Sequence, residues 1–320
     1  MSSPSPDLTT EVAGRRVALS NLDKQLYPSG FTKAEVIAYY LEVAPVMLPH
    51  LHQRCITRLR FPNGTDQGSF YEKNAPAGTP GWVRIAEVTA ADSLLRYVVA
   101  EDAATLVWLS NLAALELHTP QWRLDDAPSG EQPVTFDGAN AVHASSLVVD
   151  LDPGPGIQAS QIATAAMLAA HELAEAGLVP FVKGSGSKGM QVVAAIEPAP
   201  WRDAMEQVRR MGVRLARQHP DLFVTTMNKQ ARTDRIFLDH LQNRADRNTI
   251  SVYSLRGRAK PTVSAPLSWD EVATIADGDE FQLTSDEVLA RLASDGDLWA
   301  GLLDPANAAP LPDWPDDPGS

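Results

Sequence analysis

Apolar positions recur along the chain with two periods, and the switches between those periods mark the elements. Over residues 32–47, Val36, Ile37, Tyr40, Leu41 and Ala44 fall at helical spacing. Thr32 and Glu35 form a capping box ahead of them, which predicts a helix. Residues 55–61 alternate as a strand and run into the turn-forming sequence FPNGTDQG. Residues 101–115 predict a helix feeding a short strand that ends at His118. The run SSLVVD at 145–150 is apolar and β-branched, as in a strand buried on both faces. An Ala-rich helix over 159–176 stops at Gly177. Strands at 179–183 and 190–196 flank GSGSKG, and a helix follows over 201–218. Residues 235–241 and 249–255 read as a further strand pair, with short helices at 268–275 and 285–293. Residues 1–12 read as a flexible leader, and residues 304–320 as an acidic, Pro-rich tail. Strands, helices and hairpins mix in an order that predicts an α+β fold of mainly antiparallel sheet.

The chain has 320 residues, enough for one large domain or two modest ones. Its single cysteine, Cys55, excludes a disulfide framework or a zinc cluster. No run of about 18 apolar residues predicts a membrane helix. The polar start MSSPSPDLTTEV lacks the pattern of a secretory signal, so a cytoplasmic location is expected. Lys and Arg total 27 against 40 Asp and Glu, a net charge of −13. That sum argues against a nucleic-acid partner, but its distribution removes the objection. Residues 261–320 carry 1 basic and 13 acidic side chains, −12, whereas residues 201–260 carry 13 and 6, or +7.

The candidate chemistry lies in three segments. Asp150 and Asp152 fall on one face at the end of the buried strand, in DLDPG. Carboxylates so close repel unless a cation sits between them, and hard divalent metals want oxygen ligands. A plain strand-end turn accounts for Asp-x-Asp equally well. In Ser185-Gly186-Ser187-Lys188-Gly189, small residues permit a nest of N–H groups around an anion, with Lys188 as the cation. A flexible exposed hairpin loop is the alternative. Asp239, in RIFLDH, offers a third carboxylate. Gln242, Asn243, Arg256 and Arg258 follow as polar groups able to hold phosphate. Together these segments point to phosphoryl transfer assisted by two metals. The chain lacks G-x-x-x-x-G-K-[ST], H-E-x-x-H and G-x-S-x-G, which removes the P-loop, zincin and nucleophile-elbow readings.

The segments LSNLDKQLYPSGFTKAEVIAYY, RFPNGTDQGSFYEKNAP, LELHTPQW, VVDLDPGPG, VKGSGSKGMQV, RIFLDHLQN and SVYSLRGR occur in that order. In these the chain resembles the polymerase domain of bacterial LigD end-joining ligases, within the archaeo-eukaryotic primase superfamily. The resemblance runs from about residue 17 to about 300, with no ligase or nuclease module. It implies a primase-polymerase core of mainly antiparallel sheet flanked by helices, with an N-terminal subdomain packed against it. A single catalytic domain is expected over 13–303: an end-binding part at 13–140, a metal and nucleotide core at 141–260, and an acidic part at 261–303.

The resemblance assigns the metal and catalytic triad to Asp150, Asp152 and Asp239, holding two Mn²⁺ or Mg²⁺ ions. Nucleotide contacts fall on Ser185, Ser187, Lys188, Gln242 and Arg256, with His118 near the sugar. Asn21, Lys24 and Lys33 fall among the DNA contacts, the two lysines at a 5′-phosphate. Phe70 and Tyr71 match an aromatic pair stacked on the template, and Arg232 a loop residue that shapes the end-joining complex. The implied activity is template-dependent addition of nucleotides, preferentially ribonucleotides, to gapped DNA in the bacterial nucleoid. The implied substrates are NTPs or dNTPs, and a separate ligase and Ku are candidate partners. The family pattern Ser-x-Lys-Gly-x-His is broken at Gln191, where an amide replaces an imidazole that faces the phosphates. That substitution keeps a second reading open, a non-catalytic end-binding module. De novo priming and excision-repair gap filling are further alternatives.

Overall fold

The computed structural model describes residues 8–91, 93–128, 133–226, 228–275 and 277–316. The first described element is a hairpin of β1 (Leu8–Val12) and β2 (Arg15–Leu19). Ala13 and Gly14 turn it at φ 48° and 73°, the left-handed pair that a tight hairpin requires. Residues 8–12 are therefore a strand and not a leader, held by the burial of Val17 and Leu19 on β2. Residues 1–7 lie outside the described residues.

Next comes α1 (Lys33–Leu51). The Glu35 N–H donates to Thr32 Oγ1 at 3.3 Å, and the Thr32 N–H donates to Glu35 Oε2 at 2.7 Å, so the predicted capping box is present. The helix runs through Pro45 and Pro49, beyond the predicted end, because Val43, Met47 and Leu51 are fully buried on one face. Then follow β3 (Thr57–Arg60), β4 (Phe70–Glu72), β5 (Arg84–Ala90), β6 (Ser93–Val99), α2 (Ala103–Asn111) and β7 (Ala114–Thr119). The later part comprises β8 (Val134–Thr135), β9 (His143–Pro153), α3 (Ala159–Glu175), β10 (Pro180–Gly184), β11 (Met190–Pro200), α4 (Trp201–Gln218) and β12 (Phe223–Val224). It closes with β13 (Ile236–Asp239), β14 (Thr249–Ile250), β15 (Pro266–Leu267), α5 (Trp269–Thr274) and α6 (Ser285–Asp295).

Six strands form the central sheet in the order β12-β13-β9-β11-β10-β15, antiparallel except for β12 beside β13. A second sheet has the order β14-β7-β3-β4, and a third has β6-β5-β8. The fold is thus α+β with mainly antiparallel pairing, as the sequence predicts. The predicted pairing of 235–241 with 249–255 is not formed. β13 pairs with β9, whereas β14 joins β7 in the other sheet. A 3-10 turn at His240–Asn243 diverts the chain between the sheets. Asn243 fastens that turn: its Oδ1 accepts from the Val148 N–H at 2.9 Å and its Nδ2 donates to the Val148 carbonyl at 2.8 Å. Asn243 is buried and spent on β9, so it holds no phosphate.

Strand alternation on β9 divides the core. Leu147, Val149 and Leu151 pack with residues of α3 and α4. Val148 lies in the second cluster, with residues of α1 and α2. Asp150 and Asp152 continue the Val148 face, so their carboxylates emerge between the central and second sheets.

The predicted tail is partly packed. The Glu197 N–H donates to the Ala309 carbonyl at 2.9 Å, and the Trp314 N–H donates to Gln207 Oε1 at 2.7 Å. Trp314 is buried, which ties the segment to α4. Residues 317–320 lie outside the described residues.

Candidate active site

The cleft between the two sheets has a volume of about 610 Å³ and is lined by Asp150 and Asp152 from β9. Asp239 lies opposite Asp150 in the β13–β9 register. One carboxylate oxygen from each of the three aspartates lies within 4.8 Å of the others. Asp150 is buried, Asp239 half-buried and Asp152 exposed. Burial pushes the Asp150 carboxyl up to about 8, with repulsion from Asp152 next in size. The low-polarity cleft wall raises Asp152, and Asp239 adds to it. Both shifts express the cost of uncompensated negative charge, which a hard divalent cation removes. Three convergent carboxylates are a suitable donor set for Mg²⁺ or Mn²⁺.

The loop joining β10 to β11 adds Ser185, Ser187 and Lys188 to the cleft lining. Gly186 has φ +67°, and a Cβ there would stand 2.6 Å from the Val263 carbonyl oxygen. Only glycine fits that approach. The loop is braced from the chain after β14. Arg256 Nη1 donates to the Ser185 carbonyl at 3.2 Å, and Arg258 Nη2 donates to Ser187 Oγ at 2.8 Å. Gly154 has a related role, because a Cβ there would meet the Arg232 carbonyl oxygen at 1.7 Å. The glycine of DPGPG therefore admits the Arg232 segment to the cleft edge, where the Arg232 guanidinium lies 3.6 Å from the Phe237 ring centroid.

His118, on β7, faces the cleft from the second sheet. Its Nε2 is 2.9 Å from Glu116 Oε2. Burial lowers the His118 pKa, against the pull of Glu116. Tyr71 stands edge-on to His118 with ring centroids 5.9 Å apart. Phe70 is 45% and Tyr71 67% exposed, so neither belongs to the core. The Arg60 guanidinium lies 5.3 Å from the Phe70 centroid.

Gln242 lies in the cleft but turns to the triad, its Nε2 donating to Asp239 Oδ2 at 2.8 Å. Gln191 is also turned inward. Its Nε2 donates to Asp150 Oδ1 at 2.8 Å, and its Oε1 accepts from Lys183 Nζ at 2.6 Å.

Asn21, Lys24, Lys33 and Phe70 do not line this cleft. Asn21 adopts φ 52°, and its carbonyl accepts from the Lys24 N–H at 3.1 Å, so it shapes a turn. Lys24 is exposed, with Nζ 3.5 Å from Asn63 Oδ1. Lys33 is buried, and its Nζ donates to the Ser20 and Asn111 carbonyls at 2.9 and 3.0 Å. Burial lowers its pKa, and Lys24 and Arg60 lower it further. Lys33 is therefore first a structural clasp, close enough to Lys24 and Arg60 to share their positive field. The arginines of α4 are partly spent on carboxylates: Arg209 and Arg210 pair with Glu206, and Arg214 with Glu172.

Sequence reasoning misses Lys183 and Glu116. Both are polar residues inside apolar strands, VPFVKG and ALELH, and that interruption is the signal available.

Three convergent carboxylates that could hold a divalent cation thus share a cleft with the basic groups Lys188, Arg256 and Arg258. The chain belongs to the family described as LigD, primase-polymerase domain, whose profile matches residues 32–299. It is 42% identical over 287 residues to the multifunctional non-homologous end joining protein LigD of Mycobacterium bovis, covering 89% of this chain and 36% of that protein. It is 30% identical over 286 residues to the bifunctional non-homologous end joining protein LigD of Bacillus subtilis, covering 88% and 43% respectively. The chain thus spans less than half the length of these relatives. The solved polymerase domain from Mycobacterium tuberculosis ligase D, in complex with DNA, matches with a TM-score of 0.82 at 40% identity. That match covers 92% of this chain and 99% of the solved one.

Proposed function

We propose that the chain is a template-dependent primase-polymerase that fills short gaps at 5′-phosphorylated DNA breaks, with a preference for ribonucleotides. The observation that carries this reading is the triad of Asp150, Asp152 and Asp239 within 4.8 Å, beside a cleft that Lys188, Arg256 and Arg258 also line. The end-joining names of the relatives and the DNA-bound polymerase domain support it.

In the reaction, the primer 3′-hydroxyl oxygen bonds to the α-phosphorus of the incoming nucleotide as its proton is lost to solvent. The α–β phosphoanhydride breaks, and pyrophosphate leaves with the bonding electrons. Ser185, Ser187, Lys188 and Arg256 hold the triphosphate, and Gln242 steadies Asp239. His118, a polar group in the cleft lining, supports the preference by offering a partner for a 2′-hydroxyl. Two divalent ions on the triad, Mn²⁺ or Mg²⁺, supply charge neutralisation and an activated hydroxyl when bound. Tyr71, with Phe70 beside it, offers a sequence-tolerant stacking surface for a template base. Lys24, on the Lys33 clasp, supplies charge for a 5′-phosphate, with Asn21 shaping its turn. Arg232, which lines the cleft, is the loop residue that shapes the end-joining complex in this reading. A separate ligase and Ku are the partners this role calls for, in the bacterial cytoplasm.

Primer extension on a gapped, 5′-phosphorylated duplex with Mn²⁺ tests the reading. Addition of one ribonucleotide by the native chain and none by Asp150→Ala is expected. Extension undiminished in Asp150→Ala would falsify it. A second reading, end binding without catalysis, is favoured by the inward turn of Gln191, which removes one contact to the phosphates. It predicts 5′-phosphate-dependent binding with no extension under either metal.

A further inference from the structure

Four side chains form one transverse row across four neighbouring strands. Lys183 on β10 lies opposite Gln191 on β11, Gln191 opposite Asp150 on β9, and Asp150 opposite Asp239 on β13. Directly opposed residues project from the same face of a sheet, so the row is a continuous line of polar groups. Lys183 is 2% exposed, on a strand whose neighbours on the row are the buried Gln191 and Asp150. Its Nζ donates to Gln191 Oε1 at 2.6 Å, to the Ile250 carbonyl at 3.0 Å and to Ser264 Oγ at 2.6 Å. The Trp299 ring lies 5.9 Å from the ammonium. Burying a lysine is costly unless its charge is hydrogen-bonded, and here one of its three hydrogen bonds goes to the side chain next along the row.

We propose that Lys183 and Gln191 form a positioning pair for Asp150, in which the lysine fixes the orientation of the amide and the amide fixes the carboxylate. A glutamine amide can present either its oxygen or its NH₂ to a neighbour, and the two ends have opposite effects on a carboxylate. With three oxygens around its Nζ, Lys183 is placed as a three-donor ammonium, and in that charged form it can only donate. Gln191 must therefore turn Oε1 to Lys183, which leaves Nε2 for Asp150 Oδ1 at 2.8 Å. With Oδ1 held by the protein, the other Asp150 oxygen remains for a cation. Groups that orient a ligand in this way are worth about 10- to 100-fold in metal affinity. The pair also explains the departure from the family pattern: residue 191 serves the metal side of the cleft here, not the phosphates. The inference rests on the triad being a divalent-cation site.

The test is a double-mutant cycle on Mn²⁺ affinity of the intact chain, read by the electron paramagnetic resonance of free Mn²⁺, without nucleotide or DNA. Gln191→Leu is expected to weaken Mn²⁺ binding about tenfold in the native background. In the Lys183→Met background the amide is no longer oriented, and the same change is expected to cost about twofold or less. The direct repulsion between Lys183 and Mn²⁺ appears on both sides of the cycle and cancels. Thermal unfolding confirms that each variant is folded, and Lys183→Leu, which likewise offers no donor to Gln191, replaces the methionine variant should that one unfold. An equal loss from Gln191→Leu in both backgrounds overturns the proposal while leaving the cation site intact. Absence of Mn²⁺ binding by the native chain itself overturns the cation site, and the proposal with it.

Discussion

His118 and Arg256 share one carboxylate. Glu116 Oε2 meets His118 Nε2 at 2.9 Å, and Glu116 Oε1 pairs with Arg256 Nε at 3.3 Å. The Gly257 N–H also donates to Oε1 at 2.9 Å. A buried acid on β7 thus sets the sugar side and the phosphate side of the proposed nucleotide site together. Despite burial, these partners hold its pKa below the ordinary glutamate value.

Glu116→Gln keeps the shape and removes the charge. It is expected to raise the nucleotide KM about tenfold, with a smaller change in kcat, and to cost about 1–3 kcal/mol of stability. Initial rates and thermal unfolding measure the two effects. An unchanged KM would show that His118 and Arg256 hold their places without the shared acid.

The raised Asp150 carboxyl makes stability depend on pH without divalent metal. The folded chain binds this proton more tightly than the unfolded chain, so stability falls as pH rises from about 4 through about 8. Burial lowers the Lys183 ammonium to about 7, which acts in the opposite sense. There the unfolded chain holds the proton more tightly, so this contribution increases from about 7 to about 10.5. Unfolding followed against pH in chelator should therefore show a loss toward neutrality that Asp150→Asn flattens. Added Mn²⁺ should also remove it. A slope identical in the native chain and Asp150→Asn would place the titration elsewhere.

Tyr71→Ala removes an exposed ring, so its effect on stability is expected to stay within about 0.5 kcal/mol. Loss of base stacking should weaken binding to gapped DNA by about 1–3 kcal/mol. Fluorescence anisotropy with a gapped duplex, alongside a melting curve, distinguishes a template platform from a packing residue.

Lys24 and Lys33 should separate cleanly. Lys24→Ala is expected to leave the melting temperature in place and to reduce the preference for a 5′-phosphate over a 5′-hydroxyl end. Lys33→Met removes the ammonium's hydrogen bonds to the Ser20 and Asn111 carbonyls and is expected to cost about 1–3 kcal/mol of stability. Equal phosphate preference in the native chain and Lys24→Ala would remove Lys24 from the end-binding surface.

Much of the fold is legible in local pattern. The capping box of α1, the Ala-rich α3 and the buried strand β9 follow from periodicity and caps that depend on near neighbours. The triad is legible because strand alternation places Asp150 and Asp152 together, and the family pattern adds Asp239. What sequence does not reveal are relations across strands. The partner of β14 depends on a 3-10 turn fastened by Asn243, and periodicity carries no trace of that fastening. Lys183 and Glu116 are single polar residues in apolar strands, and their meaning appears only when β11 and the chain after β14 arrive beside them. The hairpin of β1 and β2 is hidden for a different reason. Its turn is Ala-Gly, and the weight of small and polar residues around it suggests disorder.

The row from Lys183 to Asp239 also has a consequence for how the chain folds. Lys183 and Gln191 share a hairpin and meet Asp150 through β9, but Asp239 joins the row only when β13, distant from β9 in sequence, docks on it. Contacts between such distant segments carry a loop-closure cost and form late. The like charges of the triad add a barrier to that last docking step. A cation that bridges them acts only after the strands have met, so it should slow unfolding far more than it speeds folding. The acidic cluster would then be the closing clasp of the central sheet as well as its chemical centre.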